Sequence, residues 1–447
     1  MSWPTRWNPY SKAPIDRLPL VNSPPAVPPP LSIALRALLA AFLFASPSSV
    51  LARQFVVSPG GTPISIRAAI EEANAGDEII IRGGIWREHD LVIDKPLTLT
   101  GAGDPIIDGE EAGTILTIRS DDVVIRGLTL ENVGHSYTKE YAAIRVDRCR
   151  NFLLEGNNLR KVFFGILIEK SHDGIVRDNT VSSLAVNEAG SGNGIHIWHS
   201  TDLQVLDNSV SRLRDGIYLE FVDQSEIAGN TSFDNIRYGL HFMFSNHNAY
   251  HDNVFRSNGA GVAVMFSKFV TMEHNVFEKN WGSASYGLLL KEIYDAEVGH
   301  NTFHQNTIAV NIDGSTRITY RDNTFSRNGW AVKVIGACYE NNFEKNDFLQ
   351  NAFDVAYHGK LNDNRFNGNH WSDYTGYDLD RDGIGDVPYR PVKLFSYIVN
   401  NTPETLVLLR SLFVDIINFS EKVSPAFTPD NLLDDRPQMK RFHDSDR

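Results

Sequence analysis

The sequence predicts an all-β fold, a right-handed parallel β-helix, from three observations. The first is a returning phrase: Val176-Arg-Asp-Asn-Thr-Val, Tyr250-His-Asp-Asn-Val-Phe, Val298-Gly-His-Asn-Thr-Phe and Tyr320-Arg-Asp-Asn-Thr-Phe. Its asparagines fall at 157, 179, 208, 230, 253, 275, 301, 323, 346 and 364, in steps of 22, 29, 22, 23, 22, 26, 22, 23 and 18 residues. A period near 22 marks a solenoid. Second, Gly165, Gly194, Gly216, Gly239, Gly261 and Gly287 each open an apolar stretch and each lie 14 residues before a ladder asparagine. Third, Ile, Val and Phe alternate with polar residues over runs of four or five, the period of strands. Leucine-rich repeats share the period but demand leucine at most core positions. Stacked asparagines hydrogen-bond along the axis, as amide ladders do in other stacked sheets.

With that register, variation in coil length is confined to one edge, between an asparagine and the next glycine. The edge is expanded at 131–142, 182–193 and 276–286. Insertions on one edge of a solenoid mark its binding side.

In chain order, residues 1–52 read as a Pro- and Ser-rich disordered leader followed by a signal peptide, cleaved after Ala52. The apolar run 31–45 is short for a membrane span, although an uncleaved anchor is the alternative. Thr62 and Pro63 suit the start of a short helix that Gly76 ends and that caps the open end of the solenoid. The β-helix is placed at 53–368, an Asp-rich loop region at 369–392, a C-terminal helical segment at 393–425 and a flexible tail at 426–447. In the loop, Asp378, Asp380, Asp382 and Asp386 stand at positions 1, 3, 5 and 9 with Gly383 at 6, the pattern of a calcium loop. Tyr389 stands where the bidentate Glu belongs, so Asp373 is a candidate replacement; an Asp-rich turn without an ion is the alternative.

The net charge of -13 argues against nucleic acid as a partner. Cys149 and Cys338 lie eight coils apart, roughly 38 Å at the strand spacing of a sheet, beyond disulfide reach. Both read as single buried thiols.

On each glycine-led strand, odd offsets face the core and even offsets face out. The outward second position reads Leu167, His196, Tyr218, His241, Ala263, Leu289; the fourth reads Glu169, Trp198, Glu220, Met243, Met265, Lys291. Met243 and Met265 thus become neighbours on an exterior face, with His241 beside them and His196 near. Thioether and imidazole together suit Cu(I). The favoured reading of the same face, not exclusive of copper, is a docking patch with Trp198, Tyr218, Glu220, Phe244, Phe266, Lys291 and Glu292 as contacts. Parallel β-helices also carry polysaccharide lyases and uronate epimerases, which need clustered carboxylates with Arg or His. The outward carboxylates here are dispersed, so that enzyme class is the second reading.

Several phrases resemble one family: Tyr238-Gly-Leu-His-Phe-Met-Phe-Ser, Gly259-Ala-Gly-Val-Ala-Val-Met-Phe-Ser, Tyr286-Gly-Leu-Leu-Leu-Lys-Glu-Ile and Asn369-His-Trp-Ser-Asp-Tyr. Over about residues 54–437 the chain is similar to NosD, the periplasmic β-helix protein of nitrous-oxide reductase maturation. The resemblance implies a periplasmic protein that works with an ABC transporter permease and ATPase, a copper chaperone and the reductase apo-enzyme. It implies no catalytic set; the Cu(I) residues come from strand geometry alone.

Overall fold

A computed structural model describes residues 52–136, 138–282, 285–358, 363–409, 411–423 and 432–442. The leader and signal peptide expected before Ala52 lie outside the described residues. The expected fold is present: a parallel β-solenoid of about 14 turns. Each regular coil lays down three short strands, as in Ile175–Arg177, Thr180–Ser182 and Ile195–Trp198. The glycine-led strands stack into one 12-stranded sheet, and the other two walls share a 25-stranded sheet. Among the described residues, no helix is long and apolar enough to cross a membrane.

Stacking in register puts like on like. Phe255, Phe277, Phe303, Phe325, Phe348 and Trp371 form one buried column, with successive ring centroids 5.5, 4.6, 5.0, 4.8 and 4.1 Å apart. Burying each ring contributes about 3 kcal/mol at most. Cys149 and Cys338 are buried free thiols.

The asparagine ladder has a defined bond pattern. Asn253 Oδ1 accepts from the backbone N–H and the Nδ2 of Asn230, at 2.9 and 3.0 Å, while its own Nδ2 donates to Ile227 O at 2.8 Å. The residue before most rungs has positive φ: Asp178, Asp207, Asp252, His274, His300 and Asp322 lie between 54° and 56°. Asp and His tolerate that left-handed region better than most side chains, which explains the recurring Asp-Asn. The last rung differs from expectation. Asn346 hands its bonds to Asn369, 23 residues on, while Asn364 accepts from Asn341 in a separate stack. The final coil therefore extends to the strand His370–Trp371.

A second amide ladder runs through Asn235, Asn258, Asn280, Asn306, Asn328 and Asn351. It accounts for the later marker glycines, Gly216, Gly239, Gly261 and Gly287. A Cβ on Gly239 would meet Asn258 Nδ2 at 2.8 Å and the Gly261 carbonyl oxygen at 2.6 Å. Any larger residue displaces the ladder or the neighbouring strand.

The N-terminal helix spans Ile66–Glu72, later and shorter than the Thr62–Gly76 reading. Ser65 caps it, and Glu88 from the first coil accepts from the N–H groups of Ile66 and Arg67, at 2.8 and 2.9 Å. The helix starts where these acceptors satisfy its free N–H groups. At the other end, Leu394–Asn401 and Leu412–Val423 are α-helical, with a 3-10 turn at Pro403–Leu408 between them. Phe395, Val399 and Val414 pack with Phe353 of Phe353–His358, the last strand of the 12-stranded sheet.

The flexible tail expected at 426–447 is corrected over its described part. Asp434 is fully buried and takes the place of the next rung. Its carboxylate accepts from the backbone N–H of Gly368 and Asn369 (2.9 Å each), from Asn369 Nδ2 (3.1 Å) and from Trp371 Nε1 (3.0 Å). A ladder that ended at Asn369 would leave those donors unpaired in the interior, and the tail returns to meet them. Asp434→Ala is expected to lower stability by about 3 kcal/mol, read by urea unfolding. It should also speed proteolysis within 432–442; an unchanged midpoint would remove the capping role.

Candidate functional site

The outward rows of the 12-stranded sheet form the floor of the site. Backbone pairing sets His196 beside Tyr218 and Tyr218 beside His241. The same pairing sets Trp198, Glu220, Met243, Met265 and Lys291 in one row. Met243 and Met265 are direct lateral partners, both half-buried, and Tyr218 donates from its hydroxyl to Met243 Sδ at 3.6 Å.

The second-position row is not an exterior surface, contrary to the sequence reading. His196, Tyr218 and His241 point away from the core yet are only 7, 9 and 5 % exposed. The glycine breaks the alternation, so the residue before it also faces out and adds a row: Asn193, Asp215, Tyr238. Asp215 is wholly buried there, gripped by Arg237 through Nε and Nη2 at 2.8 and 2.5 Å. Two flanking rows thus roof the middle one. Tyr218 also stands between the two histidines, 4.7 Å from each ring, so His196 does not join His241 and Met243 in one cluster.

Burial and charge tune this row. Burial alone would raise the Asp215 carboxyl, but His241 and Arg237 overcome it and hold the group at about 2. Burial pushes His196 down to about 4, assisted by the Arg214 charge and opposed by Asp215. His241 Nδ1 lies 3.7 Å from Asp215 Oδ2, beyond hydrogen-bond reach, and among the described residues neither of its ring nitrogens has a hydrogen-bond partner.

Along the adjoining corner, His199, Phe221, Phe244 and Phe266 stack face to face with centroids 4.6, 5.2 and 5.0 Å apart. All four hold positive φ, between 47° and 54°, and Glu292 continues the corner at 53°. Phe221 and Phe244 are 41 and 39 % exposed. Bulky residues in that backbone region carry strain, so exposed rings here are costly by conformation as well as hydration. The sequence reading found Phe244 and Phe266 but missed His199 and Phe221. The signal was available: an aromatic directly after the outward fourth position, repeated over four coils.

The expanded segments 131–142 and 182–193 wall a cavity of about 580 Å³ above His196, with Arg214, Lys139, Glu140 and Phe163 in its lining. The outward carboxylate Glu169 is committed to Arg145. In the Asp-rich loop, Asp378, Asp380 and Asp382 bring carboxylate oxygens within 4.8 Å of one another. Asp386 instead accepts from Leu379 N–H at 2.7 Å, and Asp373 pairs with Lys393. The carboxylate expected from Asp373 therefore does not reach the loop as a fourth donor.

The fold and these surfaces define a parallel β-helix protein whose outer face carries a soft-donor and aromatic strip. Its architecture is similar to the Dettilon phage tailspike protein (TM-score 0.57, 16 % identity, 69 % of this chain and 70 % of that one). It is also similar to the α-1,3-glucanase catalytic unit of Streptomyces thermodiastaticus (TM-score 0.55, 13 % identity, 68 and 65 %). Residues 181–376 match the family described as periplasmic copper-binding protein (NosD). The chain is 28 % identical over 372 residues to the probable ABC transporter binding protein NosD of Pseudomonas aeruginosa, covering 78 % of this chain and 85 % of that one. The Stutzerimonas stutzeri protein of the same name matches equally, at 28 % identity with 78 and 84 % covered. Over most of its length the chain is thus similar to proteins named NosD.

His196 provides a pH test of the roofed row. Its folded pKa of about 4 lies below the ordinary histidine value of about 6.5. Between those values the unfolded chain binds the extra proton, so stability rises with pH. Acidification from pH 6.5 to 4 should remove up to about 3 kcal/mol, and His196→Phe should flatten that part of the slope. Urea midpoints at a series of pH values measure it; the same slope in the variant contradicts a buried neutral imidazole.

Proposed function

We propose that the protein acts in the periplasm as a docking scaffold in assembly of the nitrous-oxide reductase copper centre. In this reading it works with an ABC transporter, a copper chaperone and the apo-enzyme, and it is not a turnover enzyme. The family's description and the names of its two relatives support the setting. The observation that carries the reading is the strip itself: Met243 and Met265 side by side, bordered by the stack of exposed His199, Phe221 and Phe244 with half-buried Phe266. Met and aromatic rings together make an adaptable apolar contact surface. Trp198, Glu220, Lys291 and Glu292 frame it with a polar rim.

Copper as cargo fits the same residues. Two thioethers beside an imidazole free to coordinate suit a soft monovalent ion, and among the described residues His241 has no hydrogen-bond partner. Met243, Met265 and His241 would hold the ion, and the Tyr218 hydroxyl on Met243 covers the approach. His196 contributes to the roofed row rather than to this set. Against the polysaccharide-enzyme reading, Glu169 and Asp215 are each locked to an arginine, which removes them as free acids or bases.

A second docking element is the C-terminal helical region. Val407, Leu412 and Phe419 are 84, 74 and 68 % exposed there, an apolar face suited to an integral-membrane partner's surface. For Asp378, Asp380 and Asp382 we infer a structural calcium site, although Asx-type bonds such as Asp382 Oδ1 to Ile384 N–H (2.7 Å) already hold the loop.

Met243→Ala with Met265→Ala should weaken Cu(I) binding at least tenfold in a chelator competition, with the melting temperature little changed. Unaltered affinity would place any copper elsewhere. Phe221→Ser with Phe244→Ser should cut capture by membranes bearing the transporter, with folding intact; full capture would reject the aromatic corner as a dock. Calcium should raise the melting temperature of the native chain but not of Asp380→Ala/Asp382→Ala. Equal shifts in both, or none in either, exclude that site.

A further inference from the structure

The cavity above His196 has no part in the copper reading, and its lining is chemically selective. Arg214 Nε donates to Asn193 Oδ1 at 3.2 Å, so the Asn193 amide must turn its Nδ2 toward His196 Nδ1, 3.4 Å away. The Nδ1 lone pair is thereby occupied, and the ring proton sits on Nε2. His196 is 7 % exposed and lines the cavity, and its Nε2 has no partner among the described residues. A buried donor without an acceptor is costly, and a ligand oxygen relieves it.

Charge points the same way. Arg145 in the lining is paired with Glu169, whereas Lys139 and Arg214 form no close ion pair among the described residues, the Arg214 charge acting only at longer range on the Glu140 carboxyl. Glu140 is the one carboxylate lining the cavity. On a chain of net charge -13 this is a local surplus of positive charge, and Arg presents a fork suited to a carboxylate.

Size and shape narrow the ligand further. A volume of about 580 Å³ lies in the range of organic-ligand sites and far exceeds the space of an inorganic anion. Thr138 and Ser191 supply hydroxyls. The half-buried ring of Phe163, edge-on to Phe164 and His135, offers a flat apolar surface. Phe163 and Ser191 also line a second cavity of about 510 Å³, so the space continues past one ligand unit.

We propose that this groove binds an acidic oligosaccharide, a short chain of uronic acid residues. One carboxylate sits on Arg214 and His196 Nε2–H, and a sugar face rests on Phe163. His196, protonated at Nε2 and occupied at Nδ1, presents a hydrogen-bond donor and no free base, which favours binding over turnover; Glu140, whose carboxyl burial pushes up, is the group turnover would need. The site uses residues distinct from the copper strip and stands or falls apart from it.

Calorimetric titration of the full chain with trigalacturonate tests the assignment, with maltotriose, sulfate and triglutamate as comparisons. Trigalacturonate should bind at least tenfold more tightly than each of the other three. Arg214→Gln and Lys139→Ala should each weaken it at least fivefold; Lys139 is exposed, so its loss leaves the fold intact. Met243→Ala should leave it unchanged. Absence of binding, equal binding of maltotriose, sulfate or triglutamate, or wild-type affinity in both cavity variants overturns the proposal. Release of unsaturated or epimerised sugar overturns binding without turnover.

Discussion

Everything in this molecule depends on a side-chain amide stacked at a turn. A solenoid coil must reverse direction without sacrificing backbone hydrogen bonds, and each reversal leaves an N–H and a carbonyl facing inward. The rung asparagines meet both demands and also bond to one another. Because each rung depends on the next, the stack cannot simply stop. Its far end is closed by Asp434, arriving from 65 residues beyond Asn369. A carboxylate suits that position: nothing further needs its donors, and four N–H groups need its oxygens.

The same constraint decides where the chain is free to vary. In the later coils a second rung follows five residues after the first, as in Asn230 and Asn235 or Asn253 and Asn258. In the earlier coils that position is Val162, Leu184 or Leu213. Leu213 is still held by the next amide, its N–H donating to Asn235 Oδ1 at 3.1 Å, but the coils of Val162 and Leu184 lack a rung asparagine there, and the long segments that wall the cavity leave the rod in this part of the chain. The region of smooth coils presents the Met and aromatic strip, while the region of irregular edges presents the polar groove. Two surfaces of different chemistry thus share one sheet, separated by a few strand spacings.

Between them lies the roofed row, where a modest deviation of backbone has a large electrostatic effect. The glycine opening each strand puts two consecutive positions inward, so the residue before it joins the outer face. That turns a simple exposed row into a covered one and encloses Asp215, His196 and His241. Arg237 on Asp215 and Arg214 on Asn193 then orient the row. Burial under these flanking rows, more than any charge, keeps His196 neutral.

Most of the architecture was legible in the repeat. Periodicity identified the coils, glycine spacing identified the register, and the lateral pairing of Met243 with Met265 follows from both. The misreadings have specific causes. Asn364, only 18 residues after Asn346, belongs to a second stack with Asn341, while Asn369, 23 residues after Asn346, is the true rung; two asparagine stacks run at different corners, and residue type alone does not distinguish them. The tail looked disordered because its composition is polar, while the donors that bind it come from residues 368–371. The helix start moved to Ser65 because Glu88, a coil away, supplies the acceptors for its first turn. By itself the sequence determined which residues become lateral neighbours, since a repeat of fixed length with alternating faces permits one stacking. Only the tertiary structure decided which of those neighbours meet solvent, because burial of His196 and His241 depends on flanking rows and edge segments whose paths no local pattern encodes.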